Sequence, residues 1–192
     1  MAFSILPPHA DHLRLHPVAP RLAPMFCLAL LTASCALASF VLACATPFAA
    51  FAVLAAAMLP LRPALLVVTG AWLVNQAIGF GALHYPVDGN TIAWGFAIGA
   101  AALLATAVSS AVLRTLPQGR TALALTVTLV AAYAAYELAL LAATPLLGGE
   151  GAFSAAIVTR IGLTSAAWLA GLVAACEIVR LVDPDRRVMR SA

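Results

Sequence analysis

Charge is what this sequence has least of. Of 192 residues only 9% are Asp, Glu, Lys or Arg, and lysine is absent: the ten basic residues are all arginine. A water-soluble domain carries about 25% charged residues, so this chain has too little polar surface to cover a globule in water. Alternating polar–apolar strand patterns are lacking too, which argues against a membrane barrel. No GxSxG, HExxH or P-loop motif occurs, so the sequence gives no catalytic residue and no nucleotide or other cofactor site. The four cysteines, Cys27, Cys35, Cys44 and Cys176, have no CxxC spacing, which supports neither a disulfide framework nor a zinc site. The formal charge of +3 comes from arginines at the edges of apolar runs and is not a nucleic-acid signature.

What is present is hydrocarbon. Hydrophobic residues make up 64% of the chain and the mean hydropathy is +1.05. Long apolar runs imply helices, which satisfy their own backbone in lipid. A spanning helix needs about 20 apolar residues. Six segments meet or approach this: residues 25–44, 46–61, 64–83, 91–113, 121–144 and 153–181. The second is short, and a half-helix there would invert everything downstream. The fold class is therefore all-α, a polytopic membrane protein with six transmembrane helices in one bundle. Residues 1–24 form a proline-rich tail with no signal-peptide pattern, residues 25–182 the transmembrane domain, and residues 183–192 a basic C-terminal tail.

The arginines test the count. With six spans, Arg14, Arg21, Arg62, Arg114, Arg120, Arg180, Arg186, Arg187 and Arg190 all fall on one side. The positive-inside rule then puts both termini in the cytoplasm of a cell with this inner-membrane protein. Arg160 is the exception, within the sixth segment.

Polar side chains gather at one depth. At 1.5 Å rise per residue, Asn75, Gln76, Glu137 and Arg160 lie about 10–12 Å below the non-cytoplasmic surface, with Trp94 nearer it. Trp72, Asn75, Gln76 and Gly79 share one helical stripe; Tyr133 and Glu137 share another; Arg160, Thr164 and Trp168 repeat every fourth residue. Ionisable residues within spans are rare and mark functional sites by default. Amides, a carboxylate, a guanidinium and flat rings suit a small polar, ring-bearing ligand. The candidate substrate-binding set is Trp72, Asn75, Gln76, Trp94, Tyr133, Glu137, Arg160, Thr164 and Trp168. A buried Glu137–Arg160 ion pair locking two helices is the structural alternative, with Asn75 and Gln76 as interhelical glue. The loops "HYPVDGNT" and "LLGGEGAF" are placed to cover such a pocket. His9, His12 and His16 have helix-like spacing, but Pro7, Pro8 and Pro17 flank them, so they read as a solvated tail rather than a metal site.

In its layout of roughly 190 residues, six helices, cytoplasmic termini and a pocket in the outer half, the chain resembles the substrate-binding membrane subunit, or S component, of energy-coupling factor (ECF) vitamin transporters. The resemblance covers residues 25–181 and is one of architecture. It implies vitamin uptake, ligand contacts from helices four to six and the loops, and an alanine-xxx-alanine face on helix one. That face, here Ala29 and Ala33, would dock a transmembrane coupling subunit whose energy comes from cytoplasmic ATPases. The rival expectation is a structural or accessory membrane protein that assembles another complex. A self-sufficient carrier or channel ranks third, because the cytoplasmic half is nearly all Ala, Leu and Val.

Overall fold

The computed structural model describes residues 13–42 and 45–182, and among these it is all-helical. Six α-helices follow in order: α1 (Ala23–Leu42), α2 (Phe48–Met58), α3 (Leu61–Ala77), α4 (Gly89–Thr115), α5 (Thr121–Leu147) and α6 (Ala155–Val182). A π-helical turn, Ile78–Ala82, extends α3, and a 3₁₀ turn, Glu150–Phe153, precedes α6. Five helices are long and apolar enough to cross a membrane: Ala23–Leu42, Leu61–Ala82, Gly89–Thr115, Thr121–Leu147 and Ala155–Val182. Large apolar side chains such as Met25, Leu66, Phe96, Val130 and Leu163 cover their outer faces, as lipid requires.

The segment read as the second span behaves differently. Its helix has 11 residues, about 16 Å at 1.5 Å per residue, against a hydrocarbon core of about 30 Å. Every residue of α2 is buried. It packs against α3, α4, α5 and α6, and more lightly against α1. A helix apolar on all faces belongs inside a bundle or inside lipid; here five longer helices take the place of lipid. Ala49, Ala50, Ala52, Ala55, Ala56 and Ala57 leave the backbone accessible, and the buried Ala101, Ala102 and Ala105 of α4 do the same. Small residues on both sides let the axes approach closely. The axis of the bundle is thus filled by α2. Among the described residues, the buried hydroxyls of Thr106, Ser109 and Thr128 donate to carbonyls one turn back, Ala102 (2.8 Å), Ala105 (2.7 Å) and Ala124 (2.7 Å), while the buried Ser110 Oγ has no partner.

Two prolines shift helix boundaries. Pro63 lies in the first turn of α3, where no N–H is needed, so the helix starts at Leu61 rather than at Ala64. Pro145 does not end α5, which runs on to Leu147. Its missing N–H would leave the Leu141 carbonyl unpaired, and Thr144 Oγ1 donates to that carbonyl instead at 2.8 Å.

Contacts identify the two ends. The backbone N–H groups of Arg14 and Leu15 both donate to Ala57 O at the end of α2. The Arg14 guanidinium reaches the end of α4. Cys176, in the last turns of α6, touches Met58 at 3.9 Å. The start of α1 and the ends of α2, α4 and α6 therefore gather at one end, together with Arg62 and Arg120 that begin the next helices. The region expected to be a free tail is folded from Leu13 onward, with Arg14, Leu15 and Pro17 buried. His16 is exposed; His9, His12 and residues 183–192 lie outside the described residues.

Candidate functional site

At the end away from the arginines, α3 and α4 meet through a ladder of large side chains on glycines. The Trp72 indole Nε1 donates to Gly95 O at 2.9 Å. A Cβ at Gly99 would lie 2.7 Å from Trp72 Cε2, and one at Gly95 would lie 2.5 Å from Gln76 Oε1. Trp72 and Gln76 are one turn apart on α3, as Gly99 and Gly95 are on α4, running in the opposite direction. The Gly95-x-x-x-Gly99 spacing is the sequence signal for this close approach.

Asn75 turns to the other side. Its Nδ2 donates to Ser39 Oγ of α1 at 2.9 Å and to Thr46 Oγ1, just before α2, at 3.0 Å. Gln76 Nε2 donates to Asn75 Oδ1 at 3.1 Å. The two adjacent amides thus tie α1, α2 and α3 together, and Gln76 carries the network toward α4.

Between α2, α3 and α4 lies a cavity of about 110 Å³. Asn75, Gln76 and Trp94 give it its polar and aromatic character, and Phe48, at the start of α2, forms part of its floor. Tyr85, Gly79, Phe80 and Thr91 line the side toward the α3–α4 connection. Tyr85 folds back over the π turn: its N–H donates to Gly79 O at 3.0 Å, and its ring lies 2.8 Å from the position of a Gly79 Cβ. His84 reaches this turn with φ of 54°. The connection then enters α4 through Asp88, which caps the helix by accepting from Thr91 N at 2.8 Å and Thr91 Oγ1 at 3.0 Å. These bonds hold the exposed Asp88 carboxyl below the usual carboxylate range. From the other side Gly149, left-handed at φ 93°, comes against Trp94, whose Cζ2 lies 3.4 Å from where a Gly149 Cβ would be.

Of the nine candidate residues, the cavity brings together Asn75, Gln76 and Trp94. Trp72 lies behind them, lining a separate apolar groove with Phe96 and Leu103 on the outer α3–α4 surface. Tyr133 and Glu137 lie one turn apart on α5, away from the cavity. Tyr133 OH donates to Val158 O of α6 at 2.6 Å, and Gly162 makes room for its ring. The expected Glu137–Arg160 pair is not made: among the described residues the ion pair formed is Glu177–Arg180 (2.5 Å). Helical geometry explains this. Val158 and Gly162 face Tyr133, and Arg160, two residues from each, points about 200° away at 100° per residue. It is exposed near the start of α6. Trp168 Nε1 donates to Ser34 Oγ of α1 at 2.7 Å. With Thr164 it borders a shallow groove between α1 and α6. Ala29 and Ala33 are both exposed on α1. The side chains read as one polar stratum are not one in space, because α2 and α4 stand between the two halves. Among the described residues no cluster of His, Cys, Asp or Glu is arranged to hold a metal.

Phe48, Gly79, Phe80, Tyr85, Thr91, Gly95 and Ile98 are the lining residues that the sequence did not single out as ligand contacts. Phe48 lies within the segment read as the second span, and Tyr85 in the loop read as a cover over the pocket. Comparison with protein-family models, with curated proteins and with solved structures found no match.

Proposed function

We propose that this chain is a membrane-embedded capture subunit, binding a small polar molecule in the α2–α3–α4 cavity. The observation that carries the reading is the convergence there of the Gln76 and Asn75 amides with the Trp94 ring beneath the Tyr85 turn. Asn75 spends its two N–H donors on Ser39 and Thr46 and orients Gln76; the Gln76 amide is then the group that offers a ligand a donor and an acceptor, and the Trp94 indole offers a stacking face. The volume of about 110 Å³ is below the roughly 300–1,000 Å³ of sites for drug-sized ligands. It admits a few heavy atoms; a vitamin-like ring stacked on Trp94 requires Tyr85 to swing off Gly79.

In this reading the arginine end faces the cytoplasm by the positive-inside rule. The chain crosses the inner membrane with five long helices, and α2 turns back inside the bundle, so both termini share the cytoplasmic side. The cavity then opens outward. Ligand would pass on through a coupling subunit driven by cytoplasmic ATPases, docked on the Ala29–Ala33 face of α1, as the likeness in layout to ECF S components suggests. Tyr133, Glu137, Arg160, Thr164 and Trp168 are left out of the proposed contacts because they line other surfaces.

The test is native mass spectrometry of protein extracted in mild detergent. A retained small molecule is expected in the wild type and in Glu137→Gln, and its loss in Gln76→Leu and Trp94→Ala. Retention by both cavity variants, or no adduct in any protein, overturns the reading. The second reading, an accessory protein that assembles another membrane complex, is favoured by one fact: Asn75 and Trp168 are satisfied between helices. It predicts no adduct and co-purification of a membrane partner that Ala29→Leu or Ala33→Leu releases.

A further inference from the structure

The segment before α1 has no regular secondary structure, yet it is held by more side-chain hydrogen bonds than any helix pair. Arg14 is 8% exposed. Its Nη1 donates to Pro117 O (2.8 Å) and Gln118 Oε1 (3.1 Å), and its Nη2 to Leu113 O (3.1 Å) and Leu116 O (2.5 Å). The N–H groups of Arg14 and Leu15 converge on Ala57 O at 2.8 and 3.1 Å. Leu15 and Pro17 are buried beneath the end of α2. The guanidinium thus sits at the negative, carbonyl-bearing end of α4, where a cation is favoured, and the strap occupies the depth that the short α2 leaves unfilled.

The chemistry of this closure is that of a latch. All four acceptors are uncharged, and the buried Nε of Arg14 has no partner. Well-packed apolar side chains often serve a permanent core element as well as buried charges, or better. An arginine with neutral partners and one unmatched N–H has a competing state, hydrated or paired with a lipid phosphate. We infer that residues 13–17 are a removable strap, with Arg14 as the latch, that closes the arginine end of the bundle. Its release uncovers the last turn of α2 and the thiol beside it. Cys176 is 1% exposed and lies 3.9 Å from the Met58 sulfur. The bundle therefore has a closed and an open state at this end. The open one presents the free carbonyls of α2 and α4. This holds whatever the opposite cavity binds.

Alkylation of Cys176 by N-ethylmaleimide, followed by peptide mass mapping on the full chain in detergent, reads the state of the strap. Three proteins are compared: wild type, Arg14→Gln, and Leu15→Cys/Ala57→Cys oxidised to a disulfide. Cys176 should react about tenfold faster in Arg14→Gln than in wild type, and about tenfold slower in the oxidised pair, with reduction restoring the rate. Equal rates in wild type and the cross-linked protein would mean that the strap never leaves, and would overturn the inference. So would a folded Arg14→Gln protein that reacts at the wild-type rate. If Arg14→Gln does not fold, the cross-linked comparison decides alone, and failure of the disulfide to form contradicts the strap's placement.

Discussion

The Trp72 indole occupies the space that a side chain at Gly99 would need: a Cβ there would lie 2.7 Å from Cε2. The neighbour is a rigid ring that also donates to Gly95 O, so it cannot simply rotate away. Gly99→Ala should destabilise the protein by about 1–3 kcal/mol, the range for an overpacked core, and lower the midpoint of thermal unfolding in detergent. Gly95→Ala meets only the end of the flexible Gln76 side chain and should cost less. An equal loss in both variants would contradict this difference.

Asn75 joins three helices through Ser39 and Thr46. Hydrogen bonds between membrane helices contribute about 0.6–2 kcal/mol. Asn75→Ala should lower stability by that order, and a double-mutant cycle with Ser39→Ala should show coupling. Strictly additive losses would mean that this bond is not made.

Glu137 and Arg160 should be energetically independent. Residues without contact add within about 0.3–0.5 kcal/mol. The stability losses of Glu137→Gln and Arg160→Gln should therefore sum in the double variant. Coupling well above that limit would restore the ion pair expected from sequence.

Acid should loosen the entry to α4. Asp88 bonds to Thr91 only as a carboxylate acceptor through both oxygens, and its pKa is lowered in the folded protein. A depressed folded pKa contributes stability above the unfolded value, about 3.9, and loses it as pH falls through the folded one. The difference in unfolding temperature between wild type and Asp88→Ala should be constant from pH 7 to 5 and shrink below about pH 4. A difference that persists at pH 2–3 would assign the cap to the neutral acid.

Helix number was legible because apolar length is local, but Pro63 and Pro145 misplaced two boundaries, since a first turn tolerates proline and Thr144 takes up the carbonyl that Pro145 leaves. That Trp72 and Gln76 share a face was legible too, since residues four apart on a helix do. Azimuth was harder. Which way Arg160 points depends on which face of α6 meets Tyr133, and that contact is tertiary. The role of α2 was hidden for a related reason. A helix apolar all round suits lipid and a protein interior equally, and only its 11 residues separate the two. Arg14 counted correctly toward the arginine end but not as a buried residue, because carbonyl acceptors at helix ends have no side-chain signature.

The enclosure of α2 also bears on how the chain is made. A segment this short, contacting protein on every face, has no stable position of its own in a bilayer. During synthesis it emerges after α1 and before α3, α4, α5 and α6, the helices that surround it. Its resting place therefore exists only once most of the chain has been threaded into the membrane. Until then α2 must wait at the membrane surface, in the insertion machinery or against α1 alone. A ribosome stalled after α3 would hold a half-built protein whose most apolar helix has nowhere to go.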